Sequence, residues 1–234
     1  MVVEWYPASR AELNFMLEEY LNNKVKATKN IHGLIVPHAG YEFSGAIAGK
    51  AYSLLKGKKY DKVIILGPSH YKGFKGIKAL KEIITPFGKA KITKNDYEKL
   101  DYEHSIQNQF PFIQKILPKA EILPLVVGQI TLKEAEEYAK KLITPNTLFI
   151  ISTDLSHFLP YAIAETADKK TINIIATLDF DSLQDLDACG IFPLLIGMKI
   201  CELRGYKPKL AEYKNSGDVT GDKNSVVGYA SFWF

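Results

Sequence analysis

Three of the five histidines stand just after apolar runs, and that placement is the first chemical signal in the chain. Leu34-Ile35-Val36 runs into Pro37-His38-Ala39-Gly40-Tyr41, and Val63-Ile64-Ile65-Leu66 runs into Gly67-Pro68-Ser69-His70-Tyr71. Leu148-Phe149-Ile150-Ile151 runs into Ser152-Thr153-Asp154-Leu155-Ser156-His157. Imidazole ligates metals and titrates near neutral pH, so histidines delivered to one place point to metal binding or proton transfer. One strand-end histidine alone reads better as a cap on a backbone group; three in the same context point to a shared site.

Cys189 adds a sulfur. Asp187-Ala188-Cys189-Gly190 precedes an apolar helical pattern, and backbone N–H groups and the macrodipole at a helix start favour a thiolate. His38, His70 and Cys189 together make two imidazoles and a thiolate. That set suits Fe, Zn or Cu with at least one open position and is too small for a closed structural site. Cys201, between Ile200 and Leu203 in the same pattern, reads as a small core residue. Asp154 and His157, three residues apart, suit a different role, in which a histidine beside the metal serves as general acid or base and a carboxylate orients it. The plainer alternative is that Asp154 caps the segment that follows and His157 is structural. His104, between Glu103 and Ser105, reads equally as a site residue or as a histidine at a helix start, and His32 as a solvated strand-end residue rather than a ligand.

The elements that must position these groups follow from periodicity. The continuous apolar runs read as central strands of a parallel sheet buried on both faces, and ligands bind at the carboxyl ends of such strands. Ser9-Arg10-Ala11-Glu12 reads as a capping box opening a helix with Leu13, Met16, Leu17, Tyr20 and Leu21 on one face. A Lys-rich surface connection is expected over Asn22 to Asn30. The small residues from Ser44 to Gly49 let a helix lie close to the sheet, but no Gly-x-Gly-x-x-Gly or Gly-Lys-Ser/Thr accompanies them, so nucleotide binding of those types has little support. Gly73 to Gly88 reads as a small antiparallel excursion, and Pro111 as a kink or a new helix start. Ile122 to Val127 reads as another buried strand, and Thr131-Leu132-Lys133-Glu134 as a second capping box opening a helix to about Leu142. Helices follow over Tyr161 to Leu178, Asp181 to Leu186, and Phe192 to Arg204. Two final strands, Lys207 to Tyr213 and Ser225 to Trp233, are joined by a Gly/Asp turn over Ser216 to Asp222. The βα alternation predicts an α/β layered fold with a mainly parallel central sheet flanked by helices.

The chain has 234 residues, 47% apolar and 24% charged, which suits one large domain over residues 1–234 with a sizeable core. Of 30 basic residues only Arg10 and Arg204 are arginines, and lysine is the poorer residue for bidentate phosphate recognition, which argues against nucleic acid. No apolar stretch is long enough for a bilayer and no signal peptide is evident, so no membrane is expected and the location is expected to be cytoplasmic.

Six motifs taken in order carry a resemblance over about residues 4 to 234: Pro37-His38-Ala39-Gly40-Tyr41, Gly67-Pro68-Ser69-His70, Glu103-His104-Ser105, Asp154-Leu155-Ser156-His157, Asp187-Ala188-Cys189-Gly190 and Ser216-Gly217-Asp218. In order and context they resemble the Memo family. The resemblance implies a fold similar to class III extradiol ring-cleaving dioxygenases, which are non-haem Fe(II) enzymes. It also implies a metal site at His38, His70 and Cys189, with His157 in the place of their acid/base histidine. Where those dioxygenases have a carboxylate as third ligand this chain has Cys189, a softer ligand that also suits copper or zinc, so dioxygenase activity is not carried across. Gln107 stands where the family pattern leads us to expect Glu. Bacterial and archaeal relatives are associated with a partner protein and a radical-SAM protein, and eukaryotic relatives are described as adaptors that recognise phosphotyrosine peptides. The expectation is a metal-binding protein with Fe(II)-dependent redox activity on an unknown small molecule. The alternatives are a non-catalytic module that binds a peptide or partner protein, and a Zn-dependent hydrolase.

Overall fold

The computed structural model describes residues 5–23 and 30–234. The first half of the chain contains α1 (Arg10–Leu21), β1 (Gly33–Val36), α2 (Ala46–Tyr52), β2 (Lys62–Pro68), β3 (Ile77–Leu80), β4 (Ile84–Thr85), β5 (Gly88–Lys89), β6 (Lys99–Leu100), α3 (His104–Gln107) and α4 (Phe110–Ile116). The second half contains β7 (Glu121–Val127), α5 (Leu132–Leu142), β8 (Thr147–Ser152), β9 (His157–Leu159), α6 (Tyr161–Thr177), α7 (Ile191–Arg204), β10 (Lys209–Asn215), α8 (Ser216–Thr220) and β11 (Val226–Trp233).

The large sheet runs β10-β11-β1-β8-β2-β7-β3-β6, with β9 attached to β11. Its centre, β1, β8, β2 and β7, is parallel throughout. β11 joins β1 antiparallel on one side and β3 joins β7 antiparallel on the other. The central strands are apolar on both faces because helices cover both. Leu34, Val63, Ile65, Leu148 and Ile150 pack into one core with Leu13 and Leu17 of α1, Tyr52 of α2 and Phe112 of α4. The alternate residues Ile35, Ile64, Leu66, Phe149 and Ile151 pack into the other with Ala135 of α5, Ile175 of α6 and Leu194 of α7. This is the layered α/β fold with a mainly parallel centre that the sequence predicts.

The punctuation is largely as read, with physical reasons for the differences. Thr131 and Glu134 form the full reciprocal capping box, whereas Ser9 only accepts the Glu12 N–H. Pro111 sits in the first turn of α4, where its missing N–H costs nothing, so the chain starts a new helix there. The Gly/Asp turn expected over Ser216 to Asp222 is instead the short helix α8, because the Asn215 side chain accepts the Gly217 N–H while Asp218 accepts the Asn215 N–H. Most of the connection expected over Asn22 to Asn30 lies outside the described residues. No described helix is long and apolar enough to cross a membrane.

Candidate metal centre

β1, β8 and β2 are adjacent and parallel, so their carboxyl ends open side by side. His38 follows β1 by two residues, Asp154 follows β8 by two and His70 follows β2 by two; such short excursions leave the side chains near the sheet edge.

His38 is buried, and its ring is oriented by Ser152. The Ser152 hydroxyl donates to the Ser105 carbonyl at 2.6 Å and accepts from Gln109 Nε2 at 2.8 Å. Its one hydrogen is used, so the 2.9 Å contact with His38 Nδ1 has the imidazole donating. Nε2 therefore presents its lone pair to Cys189 Sγ, 3.3 Å away, and to Asp154 Oδ2, 3.9 Å away. Asp154 Oδ1 accepts the His38 backbone N–H at 2.7 Å, tying β1 to β8 through the site.

His70 is held by Glu103, which accepts its backbone N–H at 2.7 Å and its Nδ1–H at 2.9 Å. Burial pushes the Glu103 carboxyl up, but the His104 and His70 imidazoles and the His70 amide outweigh it and hold the group well below the usual carboxylate range. An ionised carboxylate only accepts, so His70 also carries its proton on Nδ1 and leaves Nε2 free. A carboxylate behind a ligating histidine is the usual way such a ring is fixed. β2 comes close to α3 at Gly67, where a Cβ would lie 2.6 Å from Ser105 Oγ.

His104 opens α3 and turns inward. Its ring stacks on Trp5 at 4.3 Å, and its buried Nδ1, 3.1 Å from Glu103 Oε1, is misaligned and makes no hydrogen bond. Two sets of donor atoms within 4.8 Å of one another result, and they share His38: His38, His70 and His104, and His38, Asp154 and Cys189. No single set of that compactness contains His38, His70 and Cys189 together. The unbonded nitrogen of His104 and the free Nε2 atoms of His38 and His70 fit a metal ion, as do the adjoining thiol and carboxylate. The structure thus has a candidate metal site, and its donors do not single out one metal.

Cys189 accepts the Asp154 N–H at 3.3 Å. The helix start expected to favour its thiolate is overruled, because burial, with the Asp154 charge behind it, pushes the thiol up. His157 begins β9 opposite Val227 and is half-buried, with its ring against Phe158. It belongs to neither donor set, and among the described residues no hydrogen bond joins it to Asp154. Phe158 beside it is 74% exposed and holds a left-handed φ of 58°, a strained state for a bulky residue. The loop carrying His157 is pinned at Ser156, whose N–H is accepted by buried Asp168 of α6 at 2.9 Å. His32 lies outside both donor sets and stacks on Tyr206, half-buried rather than solvated. Glu103, Ser152, Gln109 and Trp5 had no role in the sequence reading; only the adjacency of Glu103 to His104 offered a signal.

Burial drives the His38 pKa down to about 4, against the pull of Asp154. An imidazole with a folded pKa below its unfolded value binds fewer protons when folded. The stability it contributes is therefore whole above about 6.5 and is lost as pH falls through 4. Thermal melts of the metal-free protein should show a loss of up to about 3 kcal/mol across that window. The loss should be largely absent in His38→Asn; an unchanged profile would contradict this account.

A profile described as Memo-like protein matches residues 3–233. The chain is 30% identical to a "MEMO1 family protein" of Aquifex aeolicus, over 98% of this chain and 96% of the relative. It is 32% identical to one of Methanococcoides burtonii over 97% and 96%. It is 29% identical to one of Nitrosopumilus maritimus over 99% and 96%.

Proposed function

The chain belongs to the Memo-like protein family, and from that premise we propose that it is a metal-dependent redox protein whose centre takes Fe(II) on His38, His70 and Cys189 and acts on a small molecule. The observation that supports this most is the pair of imidazoles, each with Nδ1–H held by a fixed acceptor and Nε2 free, next to a thiol. Non-haem Fe(II) uses two histidines and a carboxylate with positions left open, and here Cys189, whose thiol a bound metal would deprotonate, stands in the carboxylate's place. When bound, the metal would supply a redox-active Lewis acid with room for a substrate.

The remaining residues have definable roles. Glu103 and Ser152 hold the rings of His70 and His38, and Asp154 fixes the His38 backbone and flanks Cys189. We assign proton transfer to His157, on a loop that Asp168 braces. His104 is a reserve donor, its Nδ1 without a hydrogen bond. A cavity of about 480 Å³ between Cys189, Phe192, Pro68 and Phe74 is of a size for a small organic ligand.

The test is anaerobic purification with elemental analysis, alongside His157→Ala. About one equivalent of iron is expected in both, with turnover of any substrate found falling about 10²–10⁴-fold in the variant. Loss of iron from His157→Ala would make His157 a ligand and overturn its role. Stoichiometric zinc in a colourless protein would favour a hydrolase, and no metal after Fe(II) addition would favour the peptide- or protein-binding module.

A further inference from the structure

We propose that the opposite end of the sheet carries a second ligand site, a cationic cleft that takes a small phosphorylated molecule bearing a flat ring. The amino ends of β1, β2 and β8 meet there, one strand length, about 20 Å, from the metal centre. The segments before these strands enclose a cavity of about 680 Å³, within the range of small-molecule sites.

Its lining is selective by charge. Lys58, Lys59, Arg204 and His32 all line it, and among the described residues it has no Asp or Glu. Among the described residues neither Lys59 nor Arg204 has a carboxylate within ion-pair distance. Arg204 is one of only two arginines, and the guanidinium is the side chain that grips phosphate with two parallel bonds. It is already oriented, with Nε donating to the Tyr206 hydroxyl at 3.3 Å and the group lying 6.0 Å from the centre of that ring. Beyond Lys59 and Tyr60, which line both, the surface continues into a second hollow that has Asp61 and Glu121 together with Lys62 and Lys119.

The cleft also has a flat apolar side. His32 stacks on Tyr206 at 4.1 Å and 3°, and Tyr206 in turn on Phe234, so an aromatic column stands beside the cations. Tyr60 and Phe149 contribute further ring surface. The walls are fixed before any ligand arrives: the Tyr60 hydroxyl donates to the Ile31 carbonyl at 2.8 Å, and the Asn146 carbonyl accepts the Asp61 N–H at 3.2 Å. Burial and the Arg204 charge lower the His32 pKa, as a neighbouring unpaired cation would. Lys59 and Arg204, neither of which has a carboxylate within ion-pair distance among the described residues, call for an anion of more than one charge, and the rings beside them call for a planar body attached to it.

Isothermal titration calorimetry of the full chain with ADP, pyrophosphate and adenosine, without added divalent metal, tests the assignment. ADP should bind at one site, pyrophosphate more weakly and adenosine not measurably. Arg204→Ala and Lys59→Ala should each weaken ADP binding about tenfold or more. Both side chains are exposed, so neither change endangers the fold. Tyr206→Leu should weaken ADP but not pyrophosphate. Absence of both ADP and pyrophosphate binding at millimolar concentration, or ADP binding that survives the Arg204/Lys59 double substitution, would overturn the site. Pyrophosphate binding as tight as ADP would overturn the ring-bearing ligand.

Discussion

Replacing His38 with alanine removes the metal, whichever donor set holds it, because His38 is the one residue common to both. Changes behind a ligand alone cost about 10–100-fold in metal affinity, so loss of this ligand is expected to cost at least ~10²-fold. The fold should survive. The Asp154 anchor uses the His38 backbone N–H, which alanine keeps, and the lost Nδ1–H bond leaves Ser152 with its Ser105 and Gln109 partners, a cost of about 1 kcal/mol to which the space left by the buried ring adds about 2 kcal/mol. Two further variants then divide the sets. Under the proposed assignment Cys189→Ala also loses the metal, while His104→Ala keeps it; the reverse pattern would place the ion among the three histidines. Elemental analysis after dialysis, with chelator competition, reads all three. Stoichiometric metal retained by His38→Ala would put the centre elsewhere.

Why the sequence revealed so much of this site, and then stopped, has a local explanation. Short apolar runs without polar alternation, bounded by turn residues, read as strands covered on both faces, whereas the longer run of α7 reads as a helix. Donors two residues past such runs have almost no freedom to be anywhere but the carboxyl edge, and this made His38, His70 and Asp154 legible. Cys189 was legible from its neighbours, but its protonation was not: a helix start argues for a thiolate, whereas burial beside Asp154 argues against one, and only the fold says which is stronger. His104 was ambiguous, and Glu103 went unread, for the same reason. The partner of Glu103 is His70, 33 residues away, and that of His104 is Trp5. The sheet edges were illegible in a different way. The pattern of the final strands fixes that they are strands, but the placement of β11 between β10 and β1 depends on pairing with residues at the other end of the chain, such as Leu34 with Trp233.

The close approach that sets Cys189 in place leads to the second large effect, at Gly190. A Cβ there would lie 2.6 Å from Thr153 Cβ and Oγ1 and 2.8 Å from the Ser152 carbonyl oxygen. The last is backbone of a central strand and cannot step aside cheaply. The same contact carries the hydrogen bonds that seat the cysteine: the Gly190 N–H donates to Thr153 Oγ1 at 2.9 Å, and the Cys189 N–H to the Asp154 carbonyl at 3.2 Å. α7 begins here too, with the Leu194 N–H donating to the Gly190 carbonyl at 2.9 Å. Gly190→Ala must therefore either strain β8 or push the start of α7 outward and carry Cys189 away from His38. We expect a loss of about 3 kcal/mol, a fall in Tm of roughly 6–12 °C, together with loss of metal. Gly73→Ala, with nothing within 4 Å of the added carbon, is the matched control and should melt like the native protein. A Gly190→Ala protein with native Tm and full metal would show that the β8–α7 contact is looser than these distances imply. Native Tm with no metal would confine the strain to Cys189 itself.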